Sequence, residues 1–284
     1  MATVENRGAA MRGVRAMVAA CHPLPTAAVT AFAVGLAVAA NASPTTVVLL
    51  GAAVLTGQLS VGWSNDWLDV VRDRAAGRRD KPAATGAVAP GTLRAASLVV
   101  AAACVVASLA TGAVPGVLHL AAVASAWAYN AGLKRTPVSW LPYAVSFGLL
   151  PAFVLAAAGD VASPALVATG ALLGVGAHVT NVLPDLDDDV ATGVRGLPHR
   201  IGRRASSVAA PALLAAAVVV VVARLPDGAG SGAAVAVAVA ALALAVAAGA
   251  VGLVRPASRA PFALSMGVAA ACVALLVTSG PRLR

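Results

Sequence analysis

Charge is what this sequence lacks most. Only 11% of its 284 residues are Asp, Glu, Lys or Arg, and 60% are hydrophobic. Soluble domains carry about 25% charged residues, so the composition excludes a water-soluble globular protein. A mean hydropathy of +0.88 places the chain in a bilayer. Cysteine is scarce as well. Cys21, Cys104 and Cys272 are odd in number and far apart, which excludes a disulfide or zinc framework and leaves three small core residues. Aromatic residues make up only 4% of the chain, and the longest polar stretch runs over about 65–94. That leaves no room for a separate soluble domain, and residues 1–284 read as one transmembrane domain.

What is abundant is apolar sequence. A helix needs roughly 20 apolar residues to cross a hydrocarbon core. Nine stretches qualify: 24–40, 46–64, 95–113, 116–132, 138–158, 164–182, 206–223, 231–254 and 260–278. The Val-Ala alternation at 233–240 mimics a strand, but an open sheet edge is not tolerated in lipid, so it reads as helix. The expected architecture is all-α and polytopic, with nine transmembrane helices.

The net charge of +9 invites a nucleic-acid reading, which its distribution excludes. With the N-terminus in the cytoplasm, the tail and the even-numbered loops hold 17 of the 20 Lys and Arg residues. The other side holds only Arg224, Arg282 and Arg284. That asymmetry is the positive-inside pattern and points to a multi-pass protein of the cell membrane. Arg7, Arg12 and Arg15 before an apolar run ending Ala40-Asn41-Ala42 imitate a cleaved signal. Cleavage would leave an even number of helices and discard the basic residues, so 1–22 reads as a basic cytoplasmic tail.

Acidic residues are few and clustered. Of 11, eight are Asp66, Asp69, Asp73, Asp80, Asp185, Asp187, Asp188 and Asp189. Asn65, Asp69 and Asp73 follow N-x-x-x-D-x-x-x-D, and so do Asn181, Asp185 and Asp189. Residues four apart share a helix face, so each stretch presents two stacked carboxylates, which repel unless a cation lies between them. One such stretch would read as a solvated helix end. Two with the same spacing, each opening a basic loop (about 65–94 and 183–205), suit hard divalent ions clamping a polyphosphate.

Asp187 and Asp188 fall off the stripe and are expected to face water, and Asp66 is turned away from it. Pro184 frees backbone that can line a cavity. Most basic residues serve topology and lipid headgroups. Arg72, Lys81 and Arg200, then Lys134 and Arg135, are best placed to neutralise a bound anion. His119 and His178 lie in apolar runs, where a lone His is usually a satisfied core residue. His178 stands one turn before the second motif and is a candidate because intramembrane ionisable groups are often functional. His199 reads as solvated.

Taken together, these residues resemble the UbiA superfamily of intramembrane prenyltransferases. Asn65-Asp66-Trp67-Leu68-Asp69 is similar to the family's N-D-x-x-D opening, and Asp80-Lys81-Pro82 to the basic-Pro segment after it. Tyr129-Asn130-Ala131-Gly132-Leu133-Lys134-Arg135 is similar to its Tyr…Lys-Arg element. The resemblance implies a UbiA-like bundle, an isoprenyl diphosphate, an acceptor and Mg2+. It places Asn65, Asp69 and Asp73 on one metal and Asp185 and Asp189 on another. Arg72, Lys81, Lys134, Arg135 and Arg200 would bind the diphosphate, and Tyr129, Lys134 and Asp185 would be catalytic. His22, Asn130, His178 and Asn181 would border the substrate pocket. One departure is His22-Pro23, where many members carry Arg-Pro, and it leaves the acceptor class open.

Two other classes remain. A terpene cyclase on this scaffold would steer its cation with aromatic faces. The scarcity of aromatics argues against it, although Trp63, Trp67, Trp127, Tyr129, Trp140 and Tyr143 all fall near one end of the bundle. A transporter would explain the helices but not two matched carboxylate stripes.

Overall fold

A computed structural model describes residues 2–225 and 232–278; Arg282 and Arg284 lie outside the described residues. The chain runs through α1 (Ala2–Ala20), α2 (Pro23–Ala39), α3 (Pro44–Leu68), α4 (Val70–Ala75), α5 (Pro82–Thr85), α6 (Pro90–Ala110) and α7 (Ala113–Ala131). It continues through α8 (Leu141–Ala157), α9 (Pro164–Val182), α10 (Leu186–Ala191), α11 (Leu197–Val222), α12 (Gly232–Val254) and α13 (Ala260–Thr278). Proline at the first turn recurs because its missing N–H is an orphan there anyway. Ser43 and Ser163 add side-chain caps to α3 and α9.

Each of the nine apolar stretches carries a long helix among the described residues. By length and composition six of them can cross a membrane, or seven if Met11–Ala20 and α2, bent by 64°, count as one span. The protein is therefore a multi-pass membrane protein. α8, at 17 residues, falls short of that length criterion, spanning about 25 Å against a hydrocarbon core of about 30 Å.

The basic N-terminal stretch is helical, and Ala16, Met17 and Ala20 pack against Trp63, Trp67 and Ala83. A main core forms where Val29, Ala33 and Leu36 of α2 meet Leu50 and Val54 of α3 and Phe153 of α8. A second joins Leu214 and Val218 of α11 to Ala241 and Ala245 of α12 and Val268 and Cys272 of α13. With an up-and-down course, the C-terminal ends of α3, α7 and α9 meet the N-terminal ends of α2, α8 and α11 at one end of the bundle.

Two glycines allow the closeness this needs. A Cβ on Gly62 would lie 2.6 Å from the Cys21 carbonyl oxygen, and one on Gly174 would lie 2.6 Å from that of Tyr143. Gly62→Ala is expected to push α3 from the α1–α2 junction at a cost of about 1–3 kcal/mol, read as a lower melting temperature in detergent. Maleimide labelling of Ala76→Cys and Thr192→Cys tests the shared end: both should react from the same side of the membrane, and labelling from opposite sides would contradict it.

Candidate functional site

At that end the first acidic motif straddles a break. α3 stops at Leu68 and α4 starts at Val70, yet Asp69 N–H still donates to the Asn65 carbonyl (3.0 Å) and Asp73 N–H to that of Asp69 (2.8 Å). The three side chains therefore keep one face. Pro184 turns the end of α9 into a 3-10 segment, Leu183–Asp185, before α10 carries Asp189.

One guanidinium joins the motifs. Arg72 donates to Asp69 Oδ2 (2.9 Å), Asp73 Oδ1 (3.4 Å) and Asp189 Oδ1 (3.0 Å). Lys134 Nζ contacts both carboxylate oxygens of Asp69 from the 3-10 turn after α7. Asn65 donates to Asn130 Oδ1 (3.2 Å), and Asn130 is held by the Ser64 hydroxyl and the Val61 carbonyl. Lys81 donates to Asp66 Oδ1 (2.7 Å) and Asn65 Oδ1 (3.2 Å) and lies 3.1 Å from His22 Nε2. Asp185 pairs with Arg78 Nη1 at 3.2 Å.

These groups are withdrawn from water. Asp66, Asp69 and Asp73 are 1–2% exposed, and Lys134 is 4% exposed. Burial pushes the Asp73 carboxyl above its usual range, opposed by Lys81 and Arg72. Burial also lowers the Lys134 ammonium, which the Asp69 carboxylate opposes. Asp73 Oδ2 and Asp66 Oδ2 are buried without a hydrogen-bond partner. At the rim, hydrogen bonds from Arg78 hold the Asp80 carboxyl well below the usual carboxylate range, and Arg259 adds a 2.9 Å bond to Asp80.

Beside the carboxylates lies an aromatic layer. Tyr129 meets Tyr143 and His178 edge-on, with centroids 5.1 and 5.6 Å apart, and Tyr143 stacks on Phe147 at 6.1 Å. His178 Nε2 lies 3.1 Å from Ser139 Oγ, while its Nδ1 is buried and unpartnered. Asn181 is exposed and lies against the Tyr143 hydroxyl. Phe147 also lines an apolar cavity of about 110 Å3 between α2, α8, α9 and α13, with Phe32, Leu150, Leu173, Phe262 and Met266.

Some sequence expectations are displaced. Arg200 does not join the cluster: it is exposed and donates to the Arg195 carbonyl (2.9 Å). Its neighbour His199, read as solvated, takes the inward position, because successive helical residues point about 100° apart. The His199 side chain is 3% exposed and its Nε2 lies 3.2 Å from Asp189. Arg135 is exposed. Asp66, turned away from the stripe, is buried and held by Lys81. Asp187 is 84% exposed and pairs with Arg203.

Arg78 and Tyr143 are the site residues that the sequence marks least. Arg78 is one of five basic residues in its segment, and nothing in the spacing distinguishes it. Tyr143 had its position among the aromatics at the bundle end as its only signal.

Residues 27–277 match the model of the UbiA prenyltransferase family. The chain is similar to the apo structure of a UbiA homologue from Aeropyrum pernix K1, with 20% identity over 89% of this chain and 97% of that one and a TM-score of 0.73. A UbiA homologue from Archaeoglobus fulgidus bound to GPP and Mg2+ gives 16% identity, 94% and 99% coverage and a TM-score of 0.67. A structure concerning digeranylgeranylglyceryl phosphate synthase gives 16% identity, 95% and 99% coverage and a TM-score of 0.68. Comparison with curated protein sequences found no match.

Removing Arg72 takes the bridging cation from Asp69, Asp73 and Asp189. Lys134 still holds Asp69 and His199 still faces Asp189, but Asp73 loses its side-chain donor, and breaking a buried pair costs about 3–5 kcal/mol. Arg72→Gln is therefore expected to lower the melting temperature sharply in chelator. An unchanged melting temperature would contradict the bridging role.

Proposed function

The chain belongs to the UbiA prenyltransferase family, and we propose that it transfers an isoprenyl group from its diphosphate to a lipophilic or aromatic acceptor within the membrane. The observation that carries this reading is the convergence of two carboxylate motifs, ringed by cations, beside an aromatic layer that borders an apolar cavity. The chain acts as a single domain of nine spans in the cell membrane, its mouth on the cytoplasmic side, as the positive-inside pattern supports.

The donor set suits Mg2+, which the Archaeoglobus homologue binds together with GPP. The donors are hard oxygens, and the stranded Asp73 Oδ2 is the kind of atom a divalent ion satisfies. Asn65, Asp69 and Asp73 would hold one ion, and Asp185 and Asp189 another. Such ions supply neutralisation of the charge that develops on the diphosphate as the allylic C–O bond breaks.

The chain's own residues do the rest. Arg72, Lys134, Lys81 and Arg78 now neutralise the carboxylates, and they are placed to turn to diphosphate oxygens when those carboxylates take metal. Arg135 and Arg200 stay at the rim, contacting headgroups. Tyr129 and Tyr143 offer ring faces to the allylic cation, and the apolar cavity takes the isoprenyl tail. Burial of the layer keeps water from intercepting the cation. The acceptor enters from the side of His22, Asn130 and Asn181, and a base or water removes its proton after capture.

One observation favours a second reading, cyclisation of the isoprenyl diphosphate. Although aromatics are scarce, Tyr129, Tyr143, Phe147 and His178 are concentrated at the site, where a cyclase would want them. Product analysis separates the two. Transfer requires diphosphate release to rise when acceptor is added, with a product mass of acceptor plus isoprenyl chain less one proton. Clean conversion of the diphosphate alone to a cyclic terpene would reverse the assignment.

Asp69→Asn should lower turnover by about 100-fold or more, the scale of losing one preorganised electrostatic contact. Asp187→Asn should stay within a few-fold because its ion pair is exposed. Chelator should stop the reaction and Mg2+ restore it. Full activity in Asp69→Asn would remove the proposed metal site.

A further inference from the structure

The second half of α1 carries three distinct faces. Ala16, Met17 and Ala20 pack inward on the cluster of Trp63, Trp67 and Ala83, and the Trp63 indole N–H donates to the Met17 carbonyl at 2.9 Å. Met11, Val14 and Val18, spaced three and four apart, share another face and are 59%, 64% and 50% exposed. Arg12 and Arg15, also exposed, lie on the third.

An apolar stripe bordered by arginines needs a cover, and the bend to α2 identifies it. α2 enters the bilayer three residues after α1 ends, at an angle of 64° to it. α1 therefore ends at the bilayer boundary and runs oblique to the span. A helix with one apolar and one basic face lies in that plane, its apolar side at the acyl boundary and its basic side among the headgroups. A second copy of this chain is a poor cover, since each carries a net charge of +9 and would set arginines against arginines.

We propose that α1 is an interfacial anchor that binds anionic lipid headgroups through Arg12 and Arg15, and that its docking sets the position of His22 at the site. The mechanical link is short. The Cys21 backbone sits against Gly62, where no Cβ would fit, and its carbonyl accepts the Thr26 hydroxyl (2.8 Å). His22, in a left-handed backbone conformation, then reaches Lys81 at 3.1 Å and Asp66 at 3.5 Å. The lipid contact is independent of the reaction assigned above; only its effect on turnover rests on that reading.

The test uses the full chain in vesicles of phosphatidylcholine with or without phosphatidylglycerol. Cys21, Cys104 and Cys272 are buried, so a fluorophore on Val14→Cys reports from one place. In anionic vesicles it should be quenched by acyl-chain nitroxide lipids and shielded from aqueous iodide. Arg12→Gln and Arg15→Gln should each weaken that docking by about fivefold, the effect of roughly 1 kcal/mol per basic residue near an anionic surface. Iodide quenching in both vesicle types would overturn the anchor. Equal nitroxide quenching in both would overturn headgroup recognition. Quenching that depends on protein density would assign the face to a second copy instead. Turnover should rise with phosphatidylglycerol in the wild type and not in the double arginine variant. Docking without any change in turnover would overturn the link to His22, whereas absent turnover with normal docking would count only against the enzymatic assignment.

Discussion

Everything at this site depends on holding several carboxylates together away from water. Two unit charges about 4 Å apart interact by roughly 4 kcal/mol at an effective dielectric near 20, so Asp69, Asp73 and Asp189 cannot share a buried space on their own. Arg72 meets all three, and Lys134 meets Asp69 again. The arrangement is neutralised but not saturated, since Asp66 Oδ2, Asp73 Oδ2 and Arg72 Nε have no partner. A cluster that needs positive charge and keeps spare oxygen donors is suited to exchanging its internal cations for metal and diphosphate.

The helical bundle makes that electrostatic arrangement possible. The interruptions at Asp69 and Pro184 are local, with helical bonding continuing through Asp69, so each motif keeps one face and Arg72 reaches from one to the other. The tight α8–α9 approach at Gly174 brings Tyr143 and Phe147 beside His178. The polar mouth, the aromatic layer and the apolar cavity then follow one another, matching a substrate with a charged head, an allylic centre and a hydrocarbon tail.

Much of this was legible in the sequence because it rests on period and charge. Apolar runs locate the long helices, and four-residue spacing survives the break after Leu68 because the backbone bonds through Asp69 continue. The span count was less legible, since α7 and α8 are short or carry polar residues such as His119, Ser125 and Asn130. The helix at 11–20 was less legible because its arginines interrupt the apolar pattern. Which of two adjacent residues, His199 or Arg200, turns inward depends on where α11 begins. Arg78 gains its partner Asp185 only through tertiary folding, and no local pattern distinguishes it from Arg74 or Arg79.

The central claim is that the carboxylates receive an isoprenyl diphosphate together with metal. Titrating purified protein with a non-reactive thio-analogue of an isoprenyl diphosphate, followed through the tryptophans near the mouth, tests it without needing an acceptor. The account predicts binding that requires Mg2+ and weakens in chelator, with Mg2+ in turn binding more tightly when the analogue is present. Binding of equal strength with Mg2+ and with chelator would contradict it.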